Sequence, residues 1–383
     1  MKKKVLVFID WYLPGQNAGG PVRTMSNMVK RLSDFIDFRI VTRDTDLNAE
    51  HPYDGIVPGE WNQRDDGSSV YYLSKAQQNY TTIKQIIADE KPDAIHLNSM
   101  FSVAFTLYPL RAVKSLGYPC KLVLGPRGML SSGALAIKPF KKKLFIFLAG
   151  MTGMFKNVIW HASTPVEAAE IKKVFGDHVR IKLAIDLADN KPVTRFTRKK
   201  TPGNLKLYFL GRISPVKNLM QCLEVLKLAD NSLSIDFDIY GPSEDESYLA
   251  ECKKMADSLP DNVRLSFKGQ VDNAALTTLL KDYHCLFLLT ENENYGHAIV
   301  EGLTSGCPVI ISDRTPWRNL EAVRAGYDLS LDNNRKVAEV VSRFAGMDQQ
   351  EYDLWMQGAF TKAESIVSSD EAVRDNLNLF GDS

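Results

Sequence analysis

The chain has 383 residues, more than one hydrophobic core usually serves, so two domains are expected, with a single barrel as the alternative. Its 47 basic and 46 acidic residues give a net charge of +1, which argues against nucleic-acid binding over a broad basic face. The five cysteines are scattered and form no C-x-x-C pair, which argues against a disulfide framework or a zinc site. A reducing cytoplasm fits this composition.

The first residues place three lysines before an apolar run, as a signal peptide does, but the run is short and Asp10 ends it. We therefore predict a first strand there. The longest apolar stretch, Leu144–Phe155, has about a dozen residues, whereas a transmembrane helix needs roughly 20. No membrane-spanning segment is expected.

Strand-like runs alternate with helix-length segments in both halves of the chain, which is typical of parallel α/β sheets. In the first half the predicted strands are Val5–Ile9, Phe38–Thr42, Ala94–Leu97, Lys121–Leu124 and Val158–His161, with a helix at Thr24–Leu32. In the second half they are Leu205–Leu210, Ile235–Tyr240, Arg264–Lys268, Cys285–Leu289 and Val309–Ser312. The helices predicted between these are Asn218–Leu228, Glu246–Leu259, Asn273–Lys281 and Ala298–Ser305. Two Rossmann-like halves follow from this alternation.

A change of composition separates the two halves. The segment 186–204 holds two prolines, a glycine and many charges but few apolar residues, which indicates a linker. From Arg335 onward the apolar residues recur at helical spacing. We therefore predict an N-terminal domain at 1–190, a linker at 191–204, a C-terminal domain at 205–360 and a last helix, 361–383, that packs back on the first domain.

The motif with the strongest functional signal is ENENYGHAIVEGLTSGCPVIIS, in which Glu293 and Glu301 bracket seven residues and Gly296 opens a helix. The N–H groups of a first helical turn point out of the helix and can bind a diphosphate or a sugar hydroxyl. A carboxylate inside the helix, at Glu301, suits a ribose diol, while Glu293 precedes the helix and lies nearer the sugar. Most glutamates are simply solvated, but the flanking glycines here favour a functional role.

A second motif is LYFLGRISPVKNLMQCLEVL, in which a strand ends at Gly211 and Arg212 and Lys217 follow in the loop. A guanidinium and an ammonium five residues apart can neutralise a leaving diphosphate without a metal ion. Loop cations are usually solvated, but the position after the first strand of a Rossmann-like half favours phosphate binding.

The third motif is the glycine pair Gly19 and Gly20, which precedes the first helix where a phosphate-binding turn belongs. Its spacing is not GxGxxG, and a role in the turn alone fits it equally well.

Together the three motifs resemble the large family of retaining nucleotide-sugar glycosyltransferases with the GT-B fold, which includes bacterial polysaccharide and lipopolysaccharide transferases. The resemblance covers nearly the whole chain and implies two Rossmann-like domains facing across a cleft, with a nucleotide diphosphate sugar as donor and neither a metal nor a cofactor. It implies catalytic roles for Arg212, Lys217 and Glu293, the two cations binding the donor diphosphate. The donor-binding residues that it implies are Gly19, Gly20, Gly211, Tyr295, Gly296, His297, Ala298, Ile299 and Glu301.

The same resemblance implies transfer with retention of anomeric configuration, by front-face attack in which the departing phosphate helps to deprotonate the acceptor. Many relatives carry a histidine near the reaction centre, whereas the segment aligned with it here reads GPRGMLSSGALAIKPFKKKLF, with Arg127 in that neighbourhood. Arg127 is thus expected to contact acceptor or phosphate. His96, at a strand end, is a second acceptor candidate, although such a histidine, like His161, is more often structural.

A basic and apolar segment, 138–160, contains Lys138, Lys141, Lys142 and Lys143 followed by LFIFLAGMTGMF. A helix of this kind suits an anionic membrane surface, and a buried helix with solvated lysines is the alternative. The expected acceptor is a glycan or lipid-linked glycan of bacterial surface polysaccharide assembly, at the cytoplasmic face of the inner membrane.

Three other functions fit parts of the sequence. A GT-B-type UDP-sugar epimerase would share fold and donor, but the loop with Arg212 and Lys217 favours transfer. A non-catalytic nucleotide-sugar-binding subunit is disfavoured because both glutamates and both cations are retained. A dinucleotide-dependent dehydrogenase is the weakest, since no GxGxxG follows the first strand.

Overall fold

The computed structural model of the chain describes residues 2–136, 139–190 and 192–381. The chain divides into two compact units, the first made of the residues up to Asn190 together with those from Ser369 on, the second of the residues between. Each unit contains one sheet whose neighbouring strands are parallel, apart from one antiparallel pair in the first unit. The prediction of two parallel α/β domains is confirmed.

The first sheet has eight strands in the order β3-β4-β2-β1-β5-β6-β7-β8, and the second has six in the order β11-β10-β9-β12-β13-β14. The strands of the first unit are β1 (Lys3–Phe8), β2 (Ile36–Arg43), β3 (Trp61–Gln63), β4 (Ser69–Leu73), β5 (Ala94–Leu97), β6 (Lys121–Leu124), β7 (Val158–Ala162) and β8 (Arg180–Leu183). Those of the second are β9 (Asn204–Leu210), β10 (Ser234–Tyr240), β11 (Val263–Gly269), β12 (Cys285–Leu288), β13 (Val309–Ser312) and β14 (Gly326–Leu329).

Thirteen α-helices connect and follow these strands in the described part of the chain. The helices of the first unit are α1 (Gly20–Leu32), α2 (Tyr80–Glu90), α3 (Tyr108–Leu116), α4 (Ser132–Ala136), α5 (Pro139–Met151), α6 (Pro165–Phe175) and, after the second unit, α13 (Asp370–Phe380). Those of the second unit are α7 (Leu219–Leu226), α8 (Glu246–Ala256), α9 (Asn273–Leu279), α10 (His297–Thr304), α11 (Asn334–Gly346) and α12 (Gln349–Val367). No helix within the described ranges has the length and apolar character needed to cross a membrane.

The central strand β1 explains the layering of the first unit, because successive side chains point to opposite faces of the sheet. Leu6 and Phe8 pack in a core with residues of α2, α3, α5 and α6. Val5 and Val7 pack in the other core, which α1 and α13 close. The ring of Phe380, on α13, meets Phe38 edge to face at 6.2 Å. The last helix is therefore a structural part of the first unit.

The segment expected to be a linker belongs to the second unit from residue 192 on. Arg198 is buried and donates hydrogen bonds to the carbonyls of Lys281, Gly306, Leu280 and Ser305. The Lys200 ammonium donates to the carbonyls at the end of α11. Carbonyl groups at helix ends stabilise cations. Arg198 and Lys200 therefore anchor the segment to the second unit instead of lying in solvent.

Apart from the antiparallel edge strand β3, the order of the strands reverses once in each sheet, between β1 and β5 in the first unit and between β9 and β12 in the second. In open parallel sheets, ligands bind beyond the carboxyl ends of the strands at this point. The loops that follow β9 and β12 carry the second and the first of the sequence motifs, respectively.

Candidate functional site

The reversal point of the second sheet brings Lys217 and Glu293 into contact. Lys217 lies in the loop after β9, where the aliphatic part of its side chain packs over Gly211, and Glu293 lies in the loop after β12. The ammonium of Lys217 contacts the carboxylate of Glu293, and the two side chains are only 19% and 15% exposed. Two residues predicted from separate motifs are thus adjacent in space.

Gly296 determines how closely the second of these loops approaches α10. Its φ of 82° is left-handed, and it caps the start of the helix. A Cβ atom at this position would lie 2.8 Å from Cδ1 of Ile299 and 3.1 Å from Cγ of Glu293. Only glycine fits here without displacing Glu293, so the helix start and the carboxylate form one surface.

Buried aromatic contacts hold the loop before α10 in place. The indole N–H of Trp317 donates to the carbonyl of Tyr295, and the two rings lie 5.3 Å apart. The ring of His297 packs against Tyr295 at 4.8 Å, and the backbone N–H of Glu293 donates to the carbonyl of Arg314. Trp317 and Arg314 were not predicted, because they lie in an irregular loop after β13 that has no periodic pattern.

Arg212 is directed to a different carboxylate from Lys217. Its guanidinium lies 2.7 Å from Glu244, in the loop after β10, and the two side chains are 41% and 48% exposed. The backbone N–H of Ile213 donates to the carbonyl of Pro242, and that of Glu244 donates to the carbonyl of Ile213. These bonds join the loops after β9 and β10. No sequence signal had pointed to Glu244.

Glu301 lies in the second turn of α10 and is partly buried. Burial raises the pKa of the Tyr208 phenol, and the nearby Cys307 and Glu301 add to this effect. Glu301 therefore lies near the phenol of Tyr208, which belongs to β9. Within the described residues, no group of three or more His, Cys, Asp and Glu side chains is arranged to hold a metal ion.

The predicted glycine pair lies at the start of α1 in the first unit. Gly19 has a left-handed φ of 66° and caps the helix, which begins at Gly20. A Cβ atom at either position would meet no heavy atom within 4 Å. The backbone conformation explains Gly19, whereas packing does not explain Gly20.

Arg127 takes part in a buried ion pair. Its guanidinium lies 2.8 Å from Asp186, and the two side chains are 6% and 5% exposed. Asn98 accepts from Arg127 at 2.9 Å, and Thr24 donates to Asp186 at 2.9 Å. Burial raises the pKa of Asp186, and the charge of Arg127 opposes this shift. The residue expected beside acceptor or phosphate is thus held by internal partners.

His96 is completely buried in the first unit. Its Nε2 lies 3.5 Å from Nδ1 of His161, and its ring packs against Phe380. Burial, and then the charge of Arg127, lowers the pKa of both histidines, that of His161 to about 3. The ring of His96 exposes no surface to an acceptor, which was its expected contact, because β5 places it in the core.

Residues 190–342 match the family described as glycosyl transferases group 1. The matched range contains Arg212, Lys217, Glu293 and Glu301. No sequence match to a curated protein was found.

The fold is similar to those of several solved glycosyltransferases. HepE of Anabaena, in complex with UDP and glucose, has a TM-score of 0.71 at 14% identity, over 98% of each chain. Sucrose-phosphate synthase of Thermosynechococcus elongatus has a TM-score of 0.71 at 13% identity, over 99% of this chain and 98% of that one. WaaG, a glycosyltransferase involved in lipopolysaccharide biosynthesis, has a TM-score of 0.64 at 13% identity, over 98% of each chain. The predicted GT-B fold is confirmed.

Proposed function

The chain carries a group 1 glycosyl transferase domain within the GT-B fold, and on this premise we propose that it transfers a sugar, with retention of configuration, from a UDP-sugar to a glycan or lipid-linked glycan. HepE, whose fold is similar, has been solved with UDP-glucose, which supports uridine as the base. The domain description supports the transfer itself.

The observation that carries this proposal is the contact between Lys217 and Glu293 beside the start of α10. A diphosphate there meets the ammonium of Lys217 and the first N–H groups of the helix, which both favour negative charge. Arg212 adds a planar guanidinium from the same loop. Glu293 then accepts from hydroxyls of the donor sugar, and Glu301, in the next turn, from the ribose.

The proposed chemistry is a front-face substitution. The acceptor hydroxyl oxygen forms a bond to the anomeric carbon on the face from which the nucleoside diphosphate departs. The electron pair of the broken bond goes to the leaving phosphate oxygen, which takes the hydroxyl proton. Lys217 and Arg212 stabilise the charge that develops on this oxygen, and a preorganised donor of this kind contributes about 100-fold or more to the rate. With two cations in this role, we propose that the reaction needs no metal ion.

We further propose that the acceptor belongs to bacterial surface polysaccharide assembly at the cytoplasmic face of the membrane. The fold similarity to WaaG supports this setting.

The experiment that tests the donor is a thermal-shift screen in EDTA against UDP, GDP, ADP, CDP, TDP and NADH. A ligand that binds only the folded protein stabilises it by about 2.7 kcal/mol at a concentration of 100 times Kd. We expect UDP to raise the midpoint most, and Lys217→Ala to abolish the shift. Stabilisation by NADH alone, or by no nucleotide, contradicts the proposal.

Retention of configuration and independence of a metal ion are tested by the stereochemistry of the product and by turnover measurements. With a transferred product in hand, proton NMR of the anomeric coupling gives its configuration, and an inverted product contradicts retention. Loss of turnover in EDTA that Mg²⁺ restores contradicts metal independence.

A further inference from the structure

Helix α5 presents a continuous apolar stripe to solvent. It consists of Phe140, Leu144, Phe147, Leu148 and Met151, which are 90%, 59%, 63%, 48% and 71% exposed. Their spacing of three, four and one residues places them on one side of an α-helix. Single exposed apolar side chains are ordinary on protein surfaces, but a contiguous group marks an interaction site.

The opposite side of α5 is anchored in the core of the first unit. Ala149 is buried, and the ring of Phe145 lies 5.3 Å from Phe101 and 6.3 Å from Phe155. The helix is therefore held with the apolar stripe directed outward, because its inner side already has its packing partners.

Positive charge borders the apolar stripe on both sides. At about 100° per residue, Lys141 and Lys143 fall on opposite flanks of the stripe, and both are exposed. Lys142 turns inward, where its ammonium lies 2.5 Å from the carbonyl of Ala134. Lys138, predicted to belong to this cluster, lies outside the described residues.

The sequence around α5 is rich in basic residues, one of which, Arg127, is paired with Asp186. Residues 94–166 contain nine lysines and arginines and no aspartate or glutamate, although the whole chain has a net charge of only +1. A partner that covers this helix therefore has to be apolar where the stripe lies and anionic at its borders. The surface of an anionic lipid bilayer has this combination.

We propose that α5 docks the protein on an anionic lipid surface. The apolar stripe enters the boundary between headgroups and acyl chains, and Lys141 and Lys143 extend to the lipid phosphates. With 13 residues, α5 is about 20 Å long and lies in the plane of the bilayer, whose apolar core is about 30 Å thick. The inference that a lipid-linked acceptor is reached from this surface rests on the proposed function. Lipid binding itself is inferred from α5 alone.

The competing occupant of the apolar stripe is a second copy of the chain. Two copies joined through α5 would bring their exposed lysines together, and like charges across an interface oppose association. The charge pattern therefore favours the membrane.

The test is cosedimentation of the full-length protein with vesicles of phosphatidylcholine containing about 30% phosphatidylglycerol. We expect binding that weakens with salt and is weaker on pure phosphatidylcholine.

The double variant Phe140→Ser, Phe147→Ser is expected to lower the partition coefficient about tenfold for each phenylalanine removed. Lys141→Gln with Lys143→Gln should lower it about fivefold per lysine, and only on anionic vesicles. The matched control is Phe35→Ser, which removes a phenylalanine of the same unit that is exposed but lies off α5.

Three results would overturn the proposal. The first is wild-type protein that stays in the supernatant with anionic vesicles. The second is equal loss of binding in the α5 variant and in Phe35→Ser. The third is a dimer in analytical ultracentrifugation that the α5 variant dissociates, without vesicle binding. The UDP-induced thermal shift, measured on the same proteins, is expected to be unchanged by the α5 substitutions, so a failed donor site and a failed membrane site give different results.

Discussion

The two units have similar sheets but hold the charges near their reversal points in opposite ways. In the first unit, Arg127 and Asp186 form a pair that is almost fully buried. In the second, Arg212 and Glu244 form a pair that is nearly half exposed, and Lys217 with Glu293 is intermediate. A buried pair is costly to break, whereas an exposed pair exchanges partners at little cost. The cation of the first unit thus belongs to the framework of the fold, whereas those of the second unit are the cations for which we propose donor binding.

The largest effect is expected from breaking the framework pair. Arg127→Met leaves Asp186 buried without its cation, and removing one partner of such a pair costs about 3–5 kcal/mol. The measurement is the free energy of unfolding, in a urea titration, of the unit that carries each substitution. The control is Arg195→Met, which breaks the exposed pair with Glu364 in the second unit and should change the stability of that unit little. Equal losses in the two variants would remove the contrast between the units.

The second largest effect is expected on turnover, from substitutions of cations in the second unit. Lys217→Ala and Arg212→Ala are each expected to lower kcat by about 100-fold, since each removes a charge that we propose stabilises the leaving diphosphate. The free energy of unfolding should change little for Arg212→Ala, because the pair with Glu244 is exposed. Arg195→Ala serves as the control with unchanged kcat. Near-normal rates in both site variants would take these cations out of the mechanism.

A smaller effect is expected from Gly296→Ala. The left-handed φ and the contacts of a Cβ atom with Ile299 and Glu293 strain this position by about 1–3 kcal/mol. The displaced loop should weaken UDP binding, which the thermal-shift midpoint reports. At Gly346, a Cβ atom meets nothing within 4 Å, so Gly346→Ala is the matched control. An unaltered UDP shift in Gly296→Ala would mean that the loop does not contact the donor.

The smallest effect, counted for each unit of pH, is the change in the free energy of unfolding caused by a buried histidine of the first unit. The pKa of His161 is lowered to about 3, so the folded chain stays neutral there while the unfolded chain binds a proton below about 6.5. Stability from this residue is complete above pH 6.5 and is lost as pH falls towards 3, by about 1.4 kcal/mol per unit. His161→Asn should flatten the acid side of the stability profile by this slope. Parallel profiles for variant and wild type would contradict the assignment.

The sequence predicted the central strands of both sheets well, because they are apolar runs buried on both faces. Ala94–Leu97 and Val309–Ser312 are found within the predicted bounds. Three strands at the ends of the sheets, Trp61–Gln63, Arg180–Leu183 and Gly326–Leu329, were missed, since partial exposure mixes polar residues into their patterns. The buried strand Ser69–Leu73 was missed as well, whereas the end strand Val263–Gly269 was predicted. From Arg335 onward the structure has three helices separated at Met347 and Ser368, so the last helix begins at Asp370 and not at residue 361 as predicted.

In the site, residues with a local signal were predictable and residues that act through distant contacts were not. Lys217 and Gly296 stand in strand-to-helix turns, a context that a sequence displays directly. Glu244 reaches Arg212 across 32 positions, and Trp317 reaches Tyr295 across 22, so neither has a local pattern. The segment that contains Arg198 was interpreted as a linker for the same reason, because the carbonyls that Arg198 binds come from segments far along the chain.

The position of α13 has a consequence for synthesis on the ribosome. Leu379 and Phe380 complete the core that Val5, Val7 and Phe38 begin, yet the ribosome reaches them only after the whole second unit has been made. The second unit is continuous and can fold as soon as it emerges, whereas the core that α1 and α13 close in the first unit stays incomplete until α13 is made. In a nascent chain we thus expect the N-terminal half to mature last, and to be the half that needs a chaperone.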